Sequence, residues 1–336
     1  MGDAERAAGR AGAQSRIVLL TGGTGFVGSN LARRLLGDGH RVHLLVRPGH
    51  AAWRIAGIRR DVTLHTADLA DGDGVASVVA GVRPEWVFHL AAYGAYSEQA
   101  DVAGIFRTNV VGTANLVESC VRLGFEAFVN TGSSSEYGFK DHAPHEDEPL
   151  EPNSHYAVSK ASATMICRHA SAARGAAITT LRLYSVYGPF EEPTRLVPTI
   201  LVRGFGKTLP PLVDPGTARD FVFVDDVTDA YVRAAERPAG APGAVFNVGT
   251  GVQTHIGDLV ELVRAMLEIE EEPRWGSMPG RQWDTRTWVA DPTSIRNALG
   301  WRATTSLRDG LLATVRWLQG DPEMLGRYRD AVLGTR

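Results

Sequence analysis

Apolar residues first gather in a short unbroken run, Ile17-Val18-Leu19-Leu20, which closes on Thr21 and a glycine cluster, Gly22-Gly23-Thr24-Gly25-Phe26-Val27-Gly28. An amphipathic segment follows at once. The pattern predicts a strand over Ile17–Thr21, a tight turn and a helix over Gly25–Leu36. The alternation continues, with strands over Arg41–Val46, Val62–Thr66, Trp86–Leu90 and Ala127–Asn130 and helices over Gly72–Gly81 and Val102–Leu123 between them. Strand and helix trading places at this spacing predict an α/β protein whose parallel sheet is covered on both faces. In such sheets ligands sit at the carboxyl ends of the strands. Short polar residues stand there: Asp68 after the third strand, His89 within the fourth, Thr131 to Ser135 after the fifth.

Beyond Tyr184 the pattern changes. Pro189, Pro193, Pro198, Pro210, Pro211 and Pro215 cut the chain into loops, and helices are expected near Arg195–Gly204, then over Val224–Arg237, Ile256–Glu268, Thr293–Leu299 and Leu307–Gln319. The expected organisation is a Rossmann-type, doubly wound domain over 16–183, rejoined by 221–238. A smaller, mixed α/β substrate-binding region is expected over 184–336. Residues 1–15, rich in Ala, Gly and Arg without an apolar run, are expected to form a disordered tail rather than a signal peptide.

Composition narrows the partners. A net charge of −3 over 336 residues offers no basic field for nucleic acid and no polybasic patch for a membrane. No segment approaches the roughly 18 continuous apolar residues of a membrane span. Cys120 and Cys167 both fall in predicted helices and read as buried small hydrophobes of a reducing compartment, so a cytoplasmic location is expected. The acidic, His-containing stretch Asp141–Glu148 lacks a coherent ligand spacing; it reads as a solvated loop, and no metal site is expected.

The glycines carry two overlapping spacings, Gly23-x-Gly25-x-x-Gly28 and Gly22-x-x-Gly25-x-x-Gly28. Between a strand and a helix they let backbone N–H groups approach a pyrophosphate, so a dinucleotide is the expected cofactor. About 20 residues on, an Asp or Glu would bind the adenosine ribose hydroxyls. This chain has Val46-Arg47 there. An arginine can bind a 2′-phosphate with a charge-assisted pair, which favours NADP(H) over NAD(H), the latter remaining possible. His50, Trp53 and Arg54 follow on the same loop and could close over the adenine side.

A second signal is Tyr156-Ala157-Val158-Ser159-Lys160, inside a helix expected from about Ser154. At i and i+4 the two side chains share one face. A phenol with an unperturbed pKa of about 10 is a poor base at neutral pH. A nearby ammonium stabilises the phenolate and suits it to proton transfer. The chain has only three lysines, Lys140, Lys160 and Lys207, which gives this placement weight. A hydroxyl from the loop Asn130–Gly138 would complete the constellation by bonding the substrate oxygen.

Together these motifs resemble the extended short-chain dehydrogenases/reductases that act on nucleotide sugars, a family of epimerases, dehydratases and reductases. The likeness runs from residue 16 to about 320 and includes T-G-G-T-G-F-V-G at 21–28, D-L at 68–69, H-L-A-A at 89–92, N-V-V-G-T at 109–113, L-R-L-Y-S-V-Y-G-P at 181–189 and R-D-F-V-F-V-D-D-V at 219–227. The resemblance implies Ser133 as the catalytic hydroxyl, Tyr156 as acid/base and Lys160 as the group that lowers its pKa and holds the nicotinamide ribose. It implies cofactor contacts at Gly22, Gly25, Phe26, Val27, Gly28 and Arg47. Asp68 and Leu69 would flank the adenine, Ala91 and Ala92 would line the groove, and Asn109 would lie near the phosphates. On the substrate side it implies Ser134, Ser135, Ser185, Arg219 and Arg281, with Arg286 the other candidate for the late arginine. A homodimer through 102–123 and 154–173 is also implied.

Among the family's reactions, 4,6-dehydration wants acids directly after the catalytic hydroxyl, where this chain has Ser134 and Ser135; Glu136 stands one place late. Decarboxylases carry a different pattern around the tyrosine. Leu45–Ile55 is similar to reductases that make CDP-paratose and CDP-abequose. The expected reaction is NADPH-dependent reduction of an NDP-4-keto-6-deoxy sugar at C4. The alternative is a 4-epimerase with bound NAD. A non-catalytic NADP-binding sensor would not need Lys160 four residues after Tyr156.

Overall fold

The computed structural model describes residues 14–334 apart from Ser97, 238–242 and 279–284, so the expected tail up to residue 13, and Arg281, lie outside the described residues. Five strands form on the predicted runs: β1 (Ile17–Thr21), β2 (Arg41–Val46), β3 (Thr63–Thr66), β4 (Trp86–His89) and β5 (Ala127–Ser133). Six more follow that the pattern did not predict: β6 (Ile178–Leu183), β7 (Ser185–Tyr187), β8 (Ala218–Arg219), β9 (Phe221–Phe223), β10 (Val245–Val248) and β11 (Thr254–His255). The main sheet is seven-stranded, in the order β10-β6-β5-β4-β1-β2-β3, and every pair in it is parallel. β6 and β10 carry Thr179, Thr180, Arg182 and Asn247 among their apolar residues, and each of these polar side chains is buried. That mixture broke the hydrophobic signal. β5 also runs further than expected, because Ser133 still pairs with Leu183 of β6.

The helices are α1 (Phe26–Gly37), α2 (Gly72–Val82), α3 (Val102–Phe106), α4 (Gly112–Leu123), α5 (His155–Arg174), α6 (Leu196–Phe205), α7 (Val224–Glu236), α8 (Ile256–Leu267), α9 (Thr293–Leu299), α10 (Leu307–Gly320) and α11 (Pro322–Leu333), the last of them unpredicted. The expected single helix over 102–123 is interrupted: α3 reaches α4 through a π turn at Arg107–Val111.

Alternation along the strands divides the sheet's side chains between two cores. Val18, Leu20, Leu44, Phe88 and Val129 face α1 and α7. Leu19, Leu45, Val87 and Phe128 face α2, α4 and α5. A third core joins α6, α8, α10 and α11 around Ile200, Leu259, Leu311 and Tyr328. The second half of the chain is therefore more ordered than its prolines suggested. Cys120 and Cys167 are free and buried, and burial pushes both thiols up to about 12. No helix is long and apolar enough to cross a membrane, and no His, Cys, Asp or Glu group is placed to hold a metal ion, among the described residues.

Candidate active site

β1 hands the chain to α1 through a turn that only glycine can make. Gly22 has φ +71°, and a Cβ on it would lie 2.6 Å from the backbone N of Ala91; a Cβ on Gly28 would overlap the carbonyl oxygen of Gly22. α1 begins after Gly25 with no side-chain cap and no acidic residue in its first turn. Its first N–H groups, including those of Phe26, Val27 and Gly28, therefore remain available for an anion. Ala91 is half-buried and Ala92 exposed on the loop after β4, beside Gly22. At the carboxyl end of β2 Arg47 is exposed, and its guanidinium makes no hydrogen bond or ion pair among the described residues. Asp68 is exposed after β3, whereas Leu69 is core, 7% exposed and packed among the sheet-facing residues of α2 and α4.

Two groups named for this side are committed within the protein. Arg54 donates to the carbonyl of Phe190 at 2.8 Å and pairs with Glu192 at 2.8 Å, and Trp53 packs on Phe190 and Tyr328. These residues join the two halves of the chain. Asn109 accepts from the N–H of Tyr93 and donates to the Tyr93 carbonyl and to Ser159 Oγ. Its amide is spent inside the protein, as a brace between the loop after β4 and α5.

Ser154 caps α5 by accepting from the N–H of Ala157, which sets Tyr156 and Lys160 on one face, one turn apart. The Ser133 hydroxyl, at the end of β5, lies beside the Tyr156 phenol and pulls its pKa down. It also accepts from the N–H of Ser135 and lies 2.7 Å from Ser135 Oγ. Burial pushes the phenol up to about 12 against the pull of Ser133. In the chain alone, Lys160 thus does not bring the phenol toward neutrality. Burial also lowers the pKa of Lys160, and the negative charge of Glu136 opposes this. The Lys160 side chain is buried, yet its ammonium makes no hydrogen bond or ion pair among the described residues. Free N–H groups over a glycine cradle and an uncommitted ammonium fit a nicotinamide dinucleotide.

One hydrogen-bonded path ties the glycine strand to the tyrosine. Thr113 donates to the carbonyl of Asn109 at 2.6 Å, so its oxygen accepts from His89 Nε2 at 2.9 Å. His89 Nδ1 then accepts from Thr21 at 2.7 Å, whose oxygen accepts from the N–H of Ala91. At the other end Asn109 donates to Ser159, which donates to the carbonyl of Tyr156 at 2.7 Å. Burial, with the Lys160 charge, pushes His89 down to about 3, which keeps the ring neutral as this path requires.

The other side of Ser133 is also fixed. Glu136, fully buried, accepts from the N–H of Ser133 at 2.8 Å and from Thr164, and pairs with Arg182 at 3.0 Å. Arg182 in turn donates to Tyr137, and Tyr137 to Asn247. Ser134 faces a recess that Lys140, Tyr184 and Trp288 also line. Ser185 opens β7, and Arg219 ends β8 with its guanidinium 5.8 Å from the ring centre of Trp288. Asp220, which the sequence did not single out, accepts from Thr250, Gly251 and Ala290 and so ties two loops, the one after β10 and the one through Ala290, to that strand. Arg286 lines an open cleft with Lys140 and His142.

Backbone N–H groups free for phosphate and a phenol beside a serine, one helical turn from a lysine, define a nicotinamide-dependent enzyme of the short-chain dehydrogenase/reductase type. Over residues 18–249 the chain matches the NAD dependent epimerase/dehydratase family, and it belongs to that family of nucleotide-sugar enzymes. It is 34% identical over 311 residues to the UDP-glucose 4-epimerase of Mycolicibacterium smegmatis, covering 90% of this chain and 98% of the relative. It is 32% identical over 316 residues to the dTDP-glucose 4,6-dehydratase of Streptomyces griseus, covering 89% and 93%. The structure of the UDP-glucose 4-epimerase of Thermus thermophilus in complex with NAD is similar with a TM-score of 0.79 at 28% identity, over 90% of this chain and 99% of that one.

Proposed function

We propose that the protein moves a hydride between a nicotinamide and C4 of a nucleotide-diphosphate sugar, with NADPH-dependent reduction of a 4-keto-6-deoxy sugar as its net reaction. The Ser133–Tyr156 pair, with the uncommitted Lys160 ammonium one helical turn from the phenol, carries the C4 chemistry. The glycine turn, with Arg47, Asp68, Ala91 and Ala92, holds the cofactor, and Lys160 holds its nicotinamide ribose. The bound nicotinamide supplies the hydride. Tyr156 gives its proton to the oxygen on C4, and Ser133 orients that oxygen. Arg219 and a late arginine, Arg281 or Arg286, bind the pyrophosphate; Ser134, Ser135 and Ser185 offer hydroxyls to the sugar and its phosphates. Unpaired Arg47 at the end of β2, where the strand offers no carboxylate, supports NADPH. Elimination of water lacks its acids, since Ser134 and Ser135 carry none and Glu136 is committed to Arg182, Thr164 and Ser133.

A second reading, 4-epimerisation with retained NAD, is supported by the likeness to the two UDP-glucose 4-epimerases. It uses Tyr156 and Ser133 in the same roles. Under either reading the enzyme is a homodimer through α3–α4 and α5, where Val111, Val158 and Met165 are exposed; Met165→Glu would yield monomers in light scattering.

The deciding experiment identifies the nicotinamide released on denaturation, then supplies NADPH with dTDP-4-keto-6-deoxyglucose and, separately, UDP-glucose. Net NADPH oxidation supports the reductase. Retained NAD with interconversion of UDP-glucose and its 4-epimer supports the second reading. No chemistry at C4 in any arm removes both. In whichever arm turns over, Tyr156→Phe should abolish activity and leave cofactor binding intact.

A further inference from the structure

Tyr184, the residue after β6, is 7% exposed, and its buried hydroxyl has no hydrogen-bond partner. Two polar groups that line the same recess are already committed. Tyr137 donates to Asn247, and Lys140 pairs with Glu151 at 3.2 Å. Tyr184 lines the recess shared by Ser134, Lys140 and Trp288, which has room for about one water molecule. Ser134 is the immediate neighbour of Ser133, and Trp288 lies against Arg219. The recess therefore lies between the reacting centre and the arginine proposed for the pyrophosphate, the interval that the sugar ring must span. A protein that buries a hydroxyl there without a partner rejects a ligand that leaves it unpaired and rewards one that supplies an acceptor.

We infer that Tyr184 is a specificity-determining residue whose hydroxyl donates to one small oxygen substituent of the sugar ring, a hydroxyl or keto oxygen other than the one at the reacting carbon. Burial keeps the phenol protonated and so a donor. The inference rests on the proposed nucleotide-sugar site, and its test does not require turnover. Dissociation constants of UDP-glucose and dTDP-glucose, and of the 2-deoxy, 3-deoxy and 6-deoxy forms of each, are measured by calorimetry on the full chain and on Tyr184→Phe.

Tyr184→Phe should weaken the parent sugars about 3–10-fold, the size of one neutral hydrogen bond. It should leave the affinity for one deoxy form unchanged, and that form should bind the wild type as weakly as the parent binds the variant. Because the hydroxyl has no partner in the protein, the variant should melt no lower than the wild type. An equal loss on every sugar, no loss on any, or a fall in melting temperature overturns the inference and leaves the C4 chemistry standing. If the insensitive form is the 6-deoxy sugar, Tyr184 is confirmed and the 4-keto-6-deoxy reading fails. If neither parent sugar binds the wild type, both fall.

Discussion

Glu191 shows how one buried group can bend a pH profile. It is 5% exposed, one carboxylate oxygen has no partner, and the guanidinium of Arg195 comes no closer than 3.8 Å. Burial pushes the carboxyl up to about 8 from an ordinary 4.5. Between those values the unfolded chain gives up a proton that the folded chain keeps, so the folded state loses ground as pH rises through that window. Glu191→Gln should therefore raise the melting temperature at pH 8, by about 2 °C or more, and leave it unchanged near pH 4.5; an equal effect at both pH values would refute this. Gly28 offers a steric counterpart. A methyl there meets the carbonyl oxygen of Gly22, so Gly28→Ala should open the turn, abolish nicotinamide binding in a fluorescence titration and cost about 1–3 kcal/mol of stability. The glycines, Tyr156 and Lys160 could be read from sequence because their geometry is local, set by one turn and one helical repeat. Asn109 could not, since its partner Ser159 lies 50 residues away.

At the scale of elements, β5 and α5 have to meet at one fixed height for Ser133 to reach Tyr156. Glu136 supplies that alignment, with one oxygen on the Ser133 N–H and the other shared by Thr164 and Arg182. Breaking a buried pair strands a charge, so Glu136→Ala should cost about 3–5 kcal/mol. Replacing Glu136 and Arg182 together by Met should recover much of the stability in denaturant melts but not the turnover, because Ser133 would still lose its anchor. The first five strands were legible as apolar runs. β6 and β10 were not, because Arg182 and Asn247 look like surface residues until the Glu136–Arg182–Tyr137–Asn247 network shows where their polar groups go.

Across the whole molecule, several contacts clasp the two halves. Arg34 on α1 meets Asp229 on α7 at 3.5 Å. Trp53 and Arg54 hold Phe190 and Glu192, while Tyr328 of α11 packs edge-on to Trp53 and donates to the carbonyl of Glu191. Tyr328→Ala should cost about 3–5 kcal/mol and raise KM for the sugar more than for the cofactor, since the loop after Pro189 loses its backing; a larger effect on cofactor KM would argue against this arrangement. A return of 221–238 to the first domain was expected, but the clasp at Trp53 and Arg54 was not legible, because α11 was not foreseen and the third core gathers residues from Tyr187 to Tyr328, far beyond any window of periodicity.

The bonded path from Thr21 through His89 and Asn109 to Tyr156 also bears on how such an enzyme can diversify. Each link has a fixed donor and a fixed length, so β1, β4, the π turn and α5 cannot gain or lose a residue without parting the tyrosine from the glycine turn. Variation in length is pushed into stretches that the path skips, such as 207–216 and 269–278. Chimeras that exchange those stretches between relatives should inherit the recipient's cofactor and chemistry while taking on the donor's sugar.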